Sequence, residues 1–147
     1  LMDDMGESKL TSLELELPDG TIVTGKTTDF LGPASACLLN ALKSLAGIAH
    51  EIPLISPNVI EPIQDLKVNH MGNRNPRLHT DETLIALTIS ATTNPVAELC
   101  MQQIGNLAGC DAHSTTILSS VDMNVFRKLG INITTEPNYA TNKLYHK

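Results

Sequence analysis

Residues 113 to 135 constrain the fold more than any other stretch. His113-Ser-Thr-Thr-Ile-Leu118 reads as a β-strand, and Ile131-Asn-Ile-Thr-Thr135 as another. Between them Ser120 can cap a short helix with Val121, Val125 and Leu129 on one side and Arg127 and Lys128 in its last turn, stopped by Gly130. A strand, helix, strand unit within one sheet requires parallel strands and a right-handed crossover. Near the start of the chain, Ser12-Leu-Glu-Leu-Glu-Leu17 alternates strictly, so Leu13, Leu15 and Leu17 share one face and Glu14 and Glu16 the other. Pro18-Asp-Gly20 is a turn signal and Thr21-Ile-Val-Thr24 is β-branched throughout, which predicts an antiparallel hairpin, with Gly25 releasing the chain. Parallel and antiparallel pairs in one chain predict a mixed sheet.

Helical spacing supplies the covering layers. Ala34, Cys37, Leu38, Ala41, Leu42 and Leu45 fall on one face after Gly32-Pro33, and Gly47 ends the run. Ile52 to Ile55 reads as a short buried strand, and Ser56-Pro57 opens a helix through Leu66 whose regularity Pro62 limits. Thr80 can cap a helix with Asp81 and Glu82 in its first turn. Its continuation Leu84, Ile85, Leu87 and Ile89 leaves hardly any polar face, which predicts burial on several sides. Asn94-Pro95 starts a helix in which Val96, Leu99, Cys100, Ile104 and Leu107 form one stripe ended by Gly109.

The 147 residues are enough for one domain with its own core, and with only Phe30, Phe126, Tyr139 and Tyr145 aromatic that core must be largely aliphatic. Residues 1–11, acidic and Gly-containing, read as a linker from a missing amino-terminal region, and residues 12–147 as a single α/β domain. A net charge of −6 argues against nucleic acid or anionic membrane as partner. Cys37, Cys100 and Cys110 are odd in number and never paired as C-x-x-C, which indicates neither a disulfide framework nor a zinc knuckle and points to a reducing, cytoplasmic setting.

Chemistry concentrates in Lys67-Val-Asn-His-Met-Gly-Asn-Arg-Asn-Pro-Arg-Leu-His79, which Gly72 and Pro76 mark as a loop. Lys67, Arg74 and Arg77 can grip a phosphate or carboxylate while Asn69, Asn73 and Asn75 supply directional hydrogen bonds, and His70 and His79 stand beside them. The plainer alternative is a solvated turn whose amides cap the flanking helices. His70, His79 and His113 with Asp81, Glu82 or Asp111 match no metal-ligand spacing, so no metal and no cofactor is expected. Cys110, Asp111, His113 and Ser114 gather nucleophile, base and hydroxyl, but strand alternation sends Ser114 to the face opposite Asp111 and His113. His113 can still join the loop as an outside member of one site.

The phrases KVNHMGNRNPRLHTDETLIAL, NLAGCDAHSTTIL and FRKLGINITTEP, with the ending KLYHK, resemble the carboxy-terminal part of the bacterial domain-of-unknown-function 1846 family over nearly the whole chain. The resemblance implies a longer parent protein whose preceding region holds a Gly-rich, phosphate-loop-like stretch, and it implies no reaction. It also implies a three-layer αβα sandwich with a mixed sheet and cytidine-deaminase-like topology. Deaminases place a zinc ligand and a glutamate at the start of the helix after the hairpin; here that stretch reads Gly32-Pro-Ala-Ser35, and the Pro-Cys-x-x-Cys pair is missing as well. The fold analogy therefore carries no deaminase chemistry.

The reading is a carboxy-terminal module of a larger cytoplasmic bacterial protein, contributing a basic loop that contacts an anionic small molecule or the missing amino-terminal domain. Two rivals stand beside it. One is a complete enzyme site using His70, His79 or His113 as acid or base; the other is a homo-oligomerisation module with the apolar 84–91 helix at the interface.

Overall fold

The computed structural model describes residues 12–136, so the linker expected at 1–11 and the ending at 137–147 lie outside the described residues. Strands β1 (Ser12–Glu16) and β2 (Ile22–Lys26) form the expected antiparallel hairpin, with Leu15 opposite Val23 and Leu13 opposite Gly25. Strand β3 (Asp111–Ser114) pairs antiparallel with β1, and β4 (Asn132–Thr135) pairs parallel with β3. The sheet is mixed, in the order β2-β1-β3-β4, and the unit across 111–135 has its parallel pair.

Seven helical segments accompany the sheet among the described residues: α1 (Pro33–Ala46), α2 (Pro57–Asp65), a π-helical turn at Leu66–His70, α3 (Thr80–Ala91), α4 (Pro95–Met101), a 3-10 turn at Ile104–Leu107 and α5 (Ser120–Lys128). Helix α1 packs on β2 and β1, α5 on β4, and α3 against α4, α5 and α1. Leu13, Leu15, Leu38, Leu42, Leu78, Leu87 and Leu107 are fully buried between them, and Phe126 is the one aromatic ring in that set. The opposite sheet face, with Glu14, Glu16, Asp111, His113, Asn132 and Thr134, is exposed. The α/β sandwich is thus present as a sheet with helices on one face, and a second helical layer does not occur among the described residues.

Several local expectations change. Gly25 sits inside β2 instead of releasing it: a Cβ there would fall on the Cys37 N and the Pro33 O, so the glycine lets helix α1 lie directly on the strand. Ile52–Ile55 forms no strand, because Pro53 lacks an N–H for a ladder, although Leu54 and Ile55 are buried. The helix expected from Pro95 to Leu107 ends at Met101 and resumes as the 3-10 turn. In α3 the buried residues are Thr80, Thr83, Ala86, Leu87 and Ser90, whereas Ile85 and Ile89 are exposed. The inward threonine is satisfied by side-chain bonding, Thr83 Oγ1 donating to Ser35 Oγ (2.8 Å), which in turn donates to Leu78 O (3.0 Å). Polarity alone therefore misplaced the helix face.

Candidate functional site

The basic segment does not begin as a loop. Helix α2 continues into one π-helical turn, Leu66–His70, which carries Lys67 inward to 3 % exposure. Its Nζ donates to Arg77 O (2.6 Å) and to Glu82 Oε1 (2.8 Å), and the same carboxylate oxygen accepts the His79 N–H (2.9 Å). A buried ammonium needs such partners, and here they tie residues 77 to 79 to two helices. The segment is fixed a third time at Leu78, which forms a small parallel bridge with Leu31 and whose carbonyl accepts the Gly32 N–H (3.3 Å).

These ties bring Arg77 and His79 to a cleft of about 280 Å³, lined also by Thr27, Gly32, Pro33, Asn75, Leu78, Thr116, Ile117, Leu118, Ser119 and Asp122. Three helices start at its walls. Gly32 precedes α1, and with no side-chain cap and no acidic residue in the first turn it leaves the positive end of a 14-residue helix uncompensated. His79 is the N-cap of α3 and Ser119 that of α5, one residue earlier than Thr80 and Ser120 were expected to act. The shift frees the Thr80 hydroxyl, which donates to Asp122 Oδ1 (2.8 Å) alongside its own N–H (3.0 Å).

Asp122 organises the electrostatics. Its carboxylate lies 3.8 Å from His79 Nδ1. Contact with that carboxylate raises the His79 pKa above its ordinary 6.5, against the opposing effect of burial. For Asp122 burial works upward, yet the contacts from His79 and Thr80 prevail and hold it below its ordinary 3.8. His79 is therefore biased toward imidazolium, and Arg77, whose Nε donates to Thr28 O (2.5 Å), lines the same cleft. The arrangement can hold an anion or supply a proton.

The other expected residues lie elsewhere. Asn69 and His70 both approach Asp65, at 2.6 and 3.4 Å, on the exposed side of the π-helical turn. Asn73 and Arg74 are exposed, while Asn75 accepts the Arg77 N–H (3.0 Å) and lines the cleft. His113 stands on the exposed sheet face against Thr134 Oγ1 (2.7 Å) and Glu136 (3.4 Å), and Ser114 points inward as alternation predicts. Asp122, Ser119 and Thr28 were missed. The spacing Ser119-x-x-Asp122 was readable as a helix start, but nothing local to it indicates a histidine 43 positions earlier in the chain.

Remaining groups are already committed. Burial pushes the Cys37 thiol up to about 12 and raises Cys110, which disfavours the nucleophilic thiolate in both. A cleft of about 450 Å³ runs beside β2, but Asn40 there donates to Thr24 O and Lys43 to His50 O. Among the described residues no three His, Cys, Asp or Glu side chains gather to hold a metal ion. No described helix is long and apolar enough to cross a membrane.

Fold and site together define a mixed-sheet α/β domain with a cleft at converging helix starts. The sequence profile described as "Domain of unknown function DUF1846, C-terminal" matches residues 3–145, and the chain belongs to that family. A UPF0371 protein of Corynebacterium urealyticum is 59 % identical over 90 % of this chain and 27 % of its own length. A UPF0371 protein of Streptococcus pneumoniae serotype 19F is 56 % identical over 92 % of this chain and 28 % of its own length. The chain thus corresponds to a carboxy-terminal module of much longer bacterial proteins.

Proposed function

We propose that the cleft between Arg77, His79 and the start of α1 binds the phosphate or carboxylate group of a small molecule on behalf of the longer protein. The observation that carries this reading is the meeting of Arg77 and His79 with the uncapped start of α1 in one cleft: Asp122 favours the imidazolium form of His79 and is itself held by Thr80, so Arg77 and the helix end supply the positive potential and His79 a hydrogen-bond donor. Asn75 and Ser119 add polar groups for orientation. Of the nine residues expected to bind ligand, Asn75, Arg77 and His79 serve this reading directly and Lys67 serves it by fixing their backbone; Asn69, His70, Asn73, Arg74 and His113 do not contribute to it.

The His79–Asp122 pair supports a second reading, in which His79 acts as general acid on a bound anionic substrate, because a histidine oriented by a carboxylate at a cleft is the arrangement acid–base catalysis uses. The hairpin followed by α1 on the sheet supports the cytidine-deaminase-like topology, and three free cysteines support a cytoplasmic setting. The test is calorimetric titration with inorganic phosphate at low salt. Arg77→Ala should weaken binding about tenfold, the loss of one charge-assisted contact, and Arg74→Ala should leave it unchanged. Equal losses in the two variants, or no phosphate binding to the unaltered protein, would remove the cleft's claim.

A further inference from the structure

We infer that the bare face of the sheet is the surface on which another part of the longer polypeptide packs, and that it does so through cationic side chains. The face is set by register. Glu14 lies directly opposite His113 and Glu16 directly opposite Asp111 across the β1–β3 pair, and Glu136 reaches His113 from beyond β4. Four carboxylates thus share a face on which Lys26, at the outer strand, is the one lysine among the described residues. Like charges placed directly opposite each other on neighbouring strands oppose pairing, and at Glu16 and Asp111 no described cation offsets them.

Three further observations point to the rest of the chain as the cover. Parallel strand pairs occur mostly in sheets covered on both faces, and the β3–β4 pair is covered on one. The first described strand, β1, is a central strand of the sheet. The relatives carry more than two thirds of their length outside the region matched here, which is ample to supply the missing layer. Charge complementarity then fixes the chemistry of the covering surface as lysine- or arginine-bearing. The inference rests on register, charge and family membership, independently of the phosphate cleft.

Carboxylate footprinting of the full-length protein tests it, with carbodiimide and an amine nucleophile as the probe. Glu61 and Glu98, exposed on the helical side, serve as internal references. Glu14, Glu16 and Asp111 should label several-fold more slowly than these. Omitting the amine should join them to lysines in the preceding part of the same polypeptide. Labelling as fast as the references would show a solvent face, and crosslinks to a second copy of this domain would show a homo-oligomer contact; either overturns the inference. The exposed double variant Glu14→Lys, Glu16→Lys in the full-length chain should restore fast labelling at Asp111, and unchanged protection there would contradict a cationic cover.

Discussion

At the scale of single residues, one buried carboxylate decides what His79 can do. The sign of its effect on stability follows from the two shifts. His79, raised above 6.5, contributes stability that is fully present below that value and is lost as pH climbs through its folded pKa. Asp122, lowered below 3.8, contributes stability present above that value and lost as pH falls through its own folded pKa. The pair therefore stabilises most between the two. His79→Gln should lower the melting temperature more at about pH 5 than at about pH 9, as scanning calorimetry of both proteins would read; an equal drop at both would show that the pair is not charged in the folded protein. Lys67 shows the limit of composition as a guide. It stood among the cations expected to meet a ligand, yet its ammonium is spent on Glu82 and on the Arg77 carbonyl, because the π-helical turn that buries it has no signature in the residue types.

At the scale of elements, the sheet was legible and the helix faces less so. Alternation in Ser12–Leu17 and the β-branched run after Pro18-Asp-Gly20 specify both strands of the hairpin, since a slip of one residue would expose Leu13 and Leu15. The strand, helix, strand unit expected over 113–135 is present, but its first strand runs Asp111–Ser114 and not His113–Leu118. The inward face of α3 was not legible, because Thr80, Thr83 and Ser90 there are polar: Asp122 and Ser35, from distant segments, receive Thr80 and Thr83, and Ser90 donates back to Ala86 O. The observed face makes a direct prediction. Leu87→Ala, at a fully buried position, should cost about 3 kcal/mol, whereas Ile89→Lys, 55 % exposed, should stay within about 0.5 kcal/mol. Urea unfolding of the two variants would decide, and a large loss for Ile89→Lys with a change in sedimentation would instead place α3 in an interface between copies.

For the whole molecule, the ends of three helices and one tethered segment create a site that no contiguous motif encodes. Arg77 and His79 were visible as a cation and an imidazole in one stretch; that they face Gly32, Ser119 and Asp122 depends on the Leu31–Leu78 bridge and on how α1, α3 and α5 meet. The candidate site accordingly lies in tertiary arrangement, and the two proposals assign ligand contact to the cleft and interdomain contact to the bare sheet face. The most direct measurement is an amide chemical-shift titration with inorganic phosphate. The account predicts the largest shifts at Ala34, Ser35, Arg77, His79 and Ser119, all at or beside the cleft, with the sheet-face amides of Glu14 and His113 unmoved. Shifts centred on Asn69 to Arg74, or on the sheet face, would contradict it.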